Sequence, residues 1–305
     1  MSNRKTKKKL LVAAVNDAAY GTDAVDGGTP KAMLTSGFDL TPIEGDDIER
    51  DLDTGEGGHS EYIPVGTHVK ASGSIEVGGS GTPATPAAFE PIYIGAGYQT
   101  TPAADAVEHT RVHDNSEKDV TFYGYKDGAI HIITGARVTF TTNITVNEVP
   151  KIEFEITGLY GGILSGNIPV ADFSAFRKPL KVGHINTKFM LDDVEYKMLE
   201  FTCVEGNEIV YDENTVEEAV QITDWKTEGS FTIECPPIAE FDPFSKALNT
   251  ETMKMQLIHG ITAGDIYQLD AEKIQLGRAT YGDKEGRMTY VIPYRVIGEH
   301  KHTTK

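Results

Sequence analysis

The chain has 305 residues, and its 39% hydrophobic content is enough to bury the core of one large domain or of two smaller ones. The formal net charge of −18 argues against a nucleic-acid-binding protein with a basic binding surface, since such surfaces neutralise phosphates with Lys and Arg. The two cysteines, Cys203 and Cys235, are too few for a disulfide framework or a cysteine zinc site.

Residues 1–8 form a basic N-terminal arm, and the apolar run 10–15 follows it. This run is shorter than the roughly 18 residues that cross a bilayer, and shorter than a signal-peptide core. The sequence therefore predicts no membrane segment and no export by that route.

Strand-type alternation dominates the chain in sequence order. In KIEFEIT, Ile152, Phe154 and Ile156 share one face, and RMTYVIPYRV repeats the pattern with Met288, Tyr290, Ile292, Tyr294 and Val296. Asp127-Gly128 lies between two apolar alternating segments and predicts a hairpin turn. Asp242-Pro243 predicts the start of a short helix, and residues 85–97 predict another. The fold class is therefore mainly β with short helices.

One unusual eight-residue motif, which we call the word, occurs twice, as EGDDIERD at 44–51 and as EGNEIVYD at 205–212. Similar blocks follow each copy in the same order. KASGSIEV is matched by KTEGSFTIE, AAFEP by AEFDP, GARVTF by DAEKIQL, and KIEFEI by RMTYVI. Because ordered matches are improbable by chance, the sequence predicts an internal duplication.

The duplication sets the predicted boundaries. A first unit spans 9–164, a connector rich in Pro and Gly spans 165–183, and a second unit spans 184–296. Residues 297–305 are predicted to form a polar C-terminal tail.

The first copy of the word opens onto an acidic, glycine-containing segment without periodicity, residues 44–62. It is predicted to be a long exposed loop that either binds a partner or is merely solvated. Its candidate contact residues are Glu44, Asp46, Asp47, Glu49, Arg50, Asp51, Asp53, Glu56 and Tyr62.

Catalytic motifs are missing from the sequence. The segment 78–82 is glycine-rich but lacks the Lys-Ser/Thr ending of a phosphate-binding loop, and no nucleophile elbow is present. His109 and His113 are four residues apart, but no HExxH glutamate accompanies them. We therefore expect no catalytic, cofactor or metal site, and a protein that is not an enzyme.

Several ordered motifs resemble those of the major tail tube proteins of bacteriophages with long non-contractile tails. They are AAYGTDA (18–24), IEGDDIERD, GSIEVGGSGTPATPAAFEPIYIGAGY, TFYGYKDGAIHIITGARVTF and FEITGLYGG in the first half. ITDWKTEGSFTIECPPIAEFDPF and the GDIYQLDAEKIQL region follow in the second half, so that the resemblance covers nearly the whole chain.

The resemblance implies a tail-tube-type β-sandwich or half-barrel unit with a short helix, present here as two tandem copies. It also implies self-assembly into stacked rings that form a negatively lined conduit for DNA, with segment 44–62 contacting the adjacent ring. Three chains would form a pseudo-six-fold ring, and six chains with the second copy outside is the alternative. Tape measure, tail terminator and distal tail proteins are the implied partners. The implied location is the virion tail, assembled in the cytoplasm of the host bacterium.

Two other classes of function stay open at this point. A β-sandwich binding or decoration module of a virion, similar to an adhesin, would favour aromatic residues on an exposed loop, where the 44–62 segment has only Tyr62. A hydrolase would need one specific pair among the many carboxylates of the chain, such as Asp192 and Asp193.

Overall fold

The computed structural model describes residues 3–50, 52–53 and 58–305. Strands make up 55% of the chain and helices 4%, and most strands join one large antiparallel sheet, so the predicted mainly β class is confirmed. Among these residues no helix has the length and apolar character needed to cross a membrane.

The first half contains four strands of 15 to 17 residues as well as short ones. Its elements are β1 Lys9–Val15, β2 Lys31–Met33, β3 Thr35–Glu49, β4 Tyr62–Glu76, α1 Glu90–Gly95, β5 Tyr98–Pro102, β6 Val107–Arg111, β7 Val120–Lys126, β8 Ala129–Thr145 and β9 Lys151–Ser165. Its main strands are paired antiparallel in the order β2–β1–β7–β8–β9–β4–β3.

The second half is built from shorter strands. Its elements are β10 Thr187–Leu191, β11 Val194–Glu195, β12 Met198–Val204, β13 Asn207–Glu213, β14 Glu218–Trp225, β15 Glu228–Glu234, α2 Pro243–Leu248, β16 Thr252–His259, β17 Tyr267–Leu276, β18 Thr280–Lys284, β19 Arg287–Val296 and β20 His300–Thr304. Its main strands are paired antiparallel in the order β11–β10–β16–β17–β19–β15–β12.

Alternation in the sequence explains the buried faces of these strands. Ile152, Phe154 and Ile156 of β9 are almost fully buried, whereas Glu153 and Glu155 are exposed. In β19 the core positions begin later than the pattern predicts, because Met288 is 60% exposed and Tyr290 is the first of the series that is buried.

The predicted turn and helices are confirmed. Lys126 and Ala129 are paired across Asp127-Gly128, and Gly128 has a φ of +88° that favours glycine. Asp242 caps α2, since its side chain accepts hydrogen bonds from the backbone N–H groups of Phe244 and Ser245 at 3.0 Å. The second predicted helix is α1.

The two halves share one hydrophobic core and are joined by strand pairing. The last residues of β8 pair with β12, with Ile144 opposite Phe201. The strand β20, in the segment predicted as a polar tail, pairs with β17 of the second half and with β6 of the first. His302 and Thr304 of β20 are buried, so the C-terminal residues bridge the halves.

Candidate functional site

A single run of antiparallel strands passes through both halves and ends in two unpaired edges. Its order is β3–β4–β9–β8–β12–β15–β19–β18. Within the described part of the chain, β3 pairs only with β4, and β18 pairs only with β19. Each edge carries an exposed apolar residue, Leu34 beside β3 at 47% and Tyr281 in β18 at 61%. Such edges are templates for pairing with another strand.

The backbone geometry of β18 leaves hydrogen-bonding groups directed outward. Glu285 and Gly286 form a two-residue turn with φ values of +54° and +80°, and Lys284 is paired with Arg287 across it. Hydrogen-bonded pairs alternate with non-hydrogen-bonded pairs in such a hairpin. The backbone N–H and C=O of Tyr281 therefore point away from β19, toward the open side.

The predicted contact residues lie mainly on a ribbon formed by the outer parts of β3 and β4, which we call the first ribbon. Glu44, Asp46, Asp47 and Glu49 belong to β3 and Tyr62 opens β4, so the segment begins and ends as strand where a loop was predicted. Arg50 and Asp53 lie between the strands, and Asp51 and Glu56 fall outside the described residues. Glycine and acidic residues interrupt the alternation of apolar and polar residues in this segment, so the sequence pattern did not indicate that β3 and β4 extend into it.

Sequence reasoning missed an apolar pair on the first ribbon. Ile48 lies opposite Ile63, and these side chains are 54% and 49% exposed. Glu49 lies opposite Tyr62, and because neighbouring residues of a strand point to opposite faces, this pair occupies the other face of the ribbon. Glu44 and Lys70 form an ion pair at 3.6 Å near the base. The ribbon thus has one apolar face and one more polar face, both open to solvent.

The second copy of the word also begins a ribbon, formed by β13 and β14, which we call the second ribbon. Gly45 and Gly206 stand where the two ribbons leave the sheet, with φ values of +149° and +61°. A Cβ at either position would lie 2.6 Å from Val65 O or 2.5 Å from Lys226 O, so both bends require glycine.

The second ribbon, unlike the first, is packed against the opposite half of the molecule. Val220 is fully buried, its backbone N–H donates to Tyr20 Oη at 2.6 Å, and Arg137 Nε donates to Val220 O at 3.4 Å. Tyr211 stacks on His68 with ring centroids 5.3 Å apart. The apolar pair Ile209–Ile222, which corresponds to Ile48–Ile63, is partly covered by these contacts.

A buried polar cluster lies where the second ribbon leaves the core, centred on Glu205. Arg111 Nη2 donates to its carboxylate at 3.1 Å, and His300 and His302 approach it through Nε2 at 3.0 and 2.9 Å. Tyr98 Oη donates to the same carboxylate. The five side chains come from β6, β5, β20 and the β12–β13 junction, and the Glu205 side chain is fully buried.

Opposing effects set the protonation of this cluster. Burial raises the pKa of Glu205, but the charge and hydrogen bond of His300 and those of His302 outweigh it and hold the pKa well below its usual range. Burial lowers the pKa of His302, against the hydrogen bond to Glu205. Glu205 is therefore ionised and is compensated by Arg111.

The cluster contains the only grouping of metal-ligand type among the described residues, with the ligand atoms of Glu205, His300 and His302 within 4.8 Å of one another. A divalent cation there would sit beside the buried guanidinium of Arg111, and their repulsion in a medium of low dielectric opposes binding. The arrangement is suited to tying β20 and β6 to the second half. His109 is buried on β6 and His113 is half-exposed, and neither is one of the three grouped ligands.

Acid is expected to destabilise the fold through these buried groups. Burial and the neighbouring His302 lower the pKa of His109 to about 3, and the side chain stacks on Tyr93 at 4.4 Å. A histidine with a depressed pKa stabilises the fold above its unfolded pKa of about 6.5, and this contribution is lost as the pH falls toward 3. Each such group contributes a slope of about 1.4 kcal/mol per pH unit in that window.

Urea unfolding at pH 7, 6 and 5 measures this effect. In the wild type, the free energy of unfolding should decrease as the pH is lowered from 7 to 5. In His109→Gln it should decrease less steeply. His113→Gln, at a half-exposed histidine beside Glu299, is the control for replacing a histidine by glutamine. An unchanged slope in His109→Gln would contradict the assignment.

No protein-family model matches the chain, and no curated protein matches it.

Proposed function

We propose that this chain is a structural virion protein that assembles into stacked rings and forms the tail tube of a bacteriophage. The observation that carries this proposal is the strand run with an unpaired edge at each end, β3 and β18. Pairing with other chains closes an open run of this kind, and a ring of such chains leaves no edge exposed. The motif resemblance to tail tube proteins supports the same conclusion.

Each chain contributes two copies of one unit to the ring. The pairing order of the first half recurs in the second, with β7 and β16 at the same place in the order. A short helix precedes each of these strands in the sequence, α1 before β7 and α2 before β16. Equivalent aromatic residues support the correspondence, since Phe154 lies opposite Gly73 and Tyr294 lies opposite Gly229. This pairing aligns Phe154 with Tyr294, four residues beyond the Tyr290 that the match of KIEFEI with RMTYVI predicted, so that block is out of register. A duplicated unit explains why one chain carries two similar motifs, each at a bend where a ribbon leaves the sheet.

The joint between the halves serves as the template for the joint between chains. Within the chain, Phe201 of β12 pairs with Ile144 of β8. Ile75 and Phe231 are at equivalent positions in the matched blocks KASGSIEV and KTEGSFTIE. Thr35 lies opposite Ile75 and Phe201 lies opposite Phe231, so Thr35 is the counterpart of Phe201. Tyr281 lies opposite Tyr290, four residues before Tyr294, and Ile144 follows Asn143 toward the residue four before Phe154. In this register Tyr281 is the counterpart of Ile144. Repeating the joint places Thr35 of one chain opposite Tyr281 of the next.

Three chains then give a ring with six similar units, and a ring of six chains is the alternative. The polar face and tip of the first ribbon, with Asp47, Glu49, Arg50 and Tyr62, are the surface offered to the adjacent ring. The net charge of −18 suits a conduit that DNA passes through without sticking, since like charges repel phosphates. Tape measure, terminator and distal tail proteins are the partners that such a tube requires.

Electron microscopy of the purified chain tests the proposal. We expect hollow tubes at high protein concentration or after addition of a tail initiator complex, and three-fold symmetry in rotational averages of single rings. Six-fold symmetry with twelve units would support the alternative ring. A chain that stays monomeric at high concentration, with the initiator present, would overturn the proposal and favour a decoration module.

A further inference from the structure

We propose that the apolar face of the first ribbon docks on the second half of a neighbouring chain in the same ring, around Lys273 and Ile297. This inference rests on the proposed function, because it needs chains arranged edge to edge. It assigns Ile48 and Ile63 to a contact within the ring and leaves the opposite face, with Glu49 and Tyr62, for the adjacent ring.

The second ribbon supplies the precedent inside one chain. Its parent strands β12 and β15 join the first half through the β12–β8 pairing, and the ribbon then lies across that half. Its contacts are made to Tyr20, Arg137 and His68 of the first half. A strand joint and a covering ribbon therefore occur together.

The first ribbon has the same origin, but among the described residues its apolar face stays open to solvent. Its parent strand β3 is an unpaired edge, and its Ile48–Ile63 pair is about half exposed, at 54% and 49%. If β3 joins β18 of a neighbour as β12 joins β8, the ribbon is carried over the neighbour's second half. Burying the two isoleucines there is favourable, since exposed apolar pairs gain from leaving water.

The receiving surface follows from the same correspondence. Leu276 lies opposite Tyr294 as Phe140 lies opposite Phe154. Lys273, three residues before Leu276, is therefore the counterpart of Arg137, which binds the second ribbon. Ile297, 43% exposed, donates its backbone N–H to Lys273 O at 2.8 Å and so lies beside it. This surface thus offers an exposed apolar side chain for Ile48 and Ile63.

Charge is complementary across the proposed contact. The first ribbon is acidic, and its Arg50 is paired with Glu61 at 3.8 Å. Lys273 is exposed, and Arg295 of the neighbouring strand is also exposed, with a single ion pair to Glu228 at 3.5 Å. Asp46, Glu61 and their neighbours would therefore meet cations as the ribbon docks.

Disulfide trapping in assembled tubes tests the inference. The double variant Ile63→Cys, Ile297→Cys is assembled under reducing conditions, oxidised, and run on a non-reducing denaturing gel. A contact within the ring links each chain to two others and closes, so the ladder should stop at the number of chains in one ring. A contact between rings would instead produce a ladder that continues to long polymers.

The matched control is Tyr62→Cys with Ile297→Cys, since Tyr62 lies on the other face of the ribbon and should give little cross-linking. Tubes that form without a closed ladder would overturn the inference and leave the proposed function standing. If the variant does not assemble, the test is amide hydrogen exchange in wild-type tubes. Exchange of the backbone amides around 295–298 should be slower in the tubes than in the free chain by at least about tenfold. Unchanged exchange would overturn the inference. Wild-type chains that never assemble would overturn both.

Discussion

Replacing Glu205 by alanine is expected to lower the free energy of unfolding by about 3–5 kcal/mol, the usual cost of breaking a buried ion pair from one side. The Arg111 guanidinium, only 4% exposed, would lose its anionic partner at 3.1 Å. His300 and His302 would lose the acceptor that holds β20 in place. The loss comes from an uncompensated buried charge in addition to missing hydrogen bonds.

The matched control lies in the other copy of the same word. Glu44→Ala removes a carboxylate that is 43% exposed and paired with Lys70 at 3.6 Å, so its effect should stay within about 1 kcal/mol. Urea unfolding at pH 7 compares the two variants with the wild type. Equal destabilisation by both substitutions would show that Glu205 does not have the special role that its burial indicates.

The contrast between these two glutamates shows what the sequence could predict. Periodicity predicted the strands, their buried faces and the Asp127-Gly128 turn, because these depend on neighbouring residues. The two copies of the word are predicted to be equivalent positions, and each stands at a bend at which a ribbon leaves the sheet. Their different surroundings, solvent for Glu44 and a buried cluster for Glu205, depend on residues far away in the chain.

The Glu205 cluster was beyond sequence reasoning for that physical reason. Its partners come from 98–111 and 300–302, and no local pattern connects these segments. Residues 297–305 are predicted to form a polar tail, and HKHTT within them contains no apolar residue. Its His and Thr side chains are nevertheless buried, since cross-strand pairing and Glu205 satisfy part of their hydrogen-bonding capacity.

The candidate assembly surface was only partly predictable. Acidic residues marked 44–62 as exposed, and this is where the first ribbon projects. The Ile48–Ile63 pair was hidden because strand pairing, which sets two distant residues side by side, is invisible before the register is known. The open edges β3 and β18 were likewise invisible, because an edge is defined by the pairings that a strand lacks.

Tyr281→Pro is expected to abolish tube formation while leaving the chain folded. The Tyr281 backbone N–H points away from β19, toward the open side of β18, so proline removes a donor needed only by a neighbouring chain. Thr280 precedes it in an extended conformation, which the residue before proline favours. Turbidity and electron microscopy should show loss of polymer at concentrations where the wild type assembles.

Tyr281→Ala separates the backbone from the side chain. Both variants lose the contacts of the Tyr281 ring with Phe244 and Tyr290, which have centroids 5.4 and 5.5 Å away, but only proline loses the N–H. The alanine variant should therefore still assemble, at a somewhat higher concentration. Thermal melts of the unassembled chains should be similar, since β18 is an edge strand. Tubes formed by Tyr281→Pro as readily as by the wild type would show that chains do not join through β18, and the joint that we propose would be wrong.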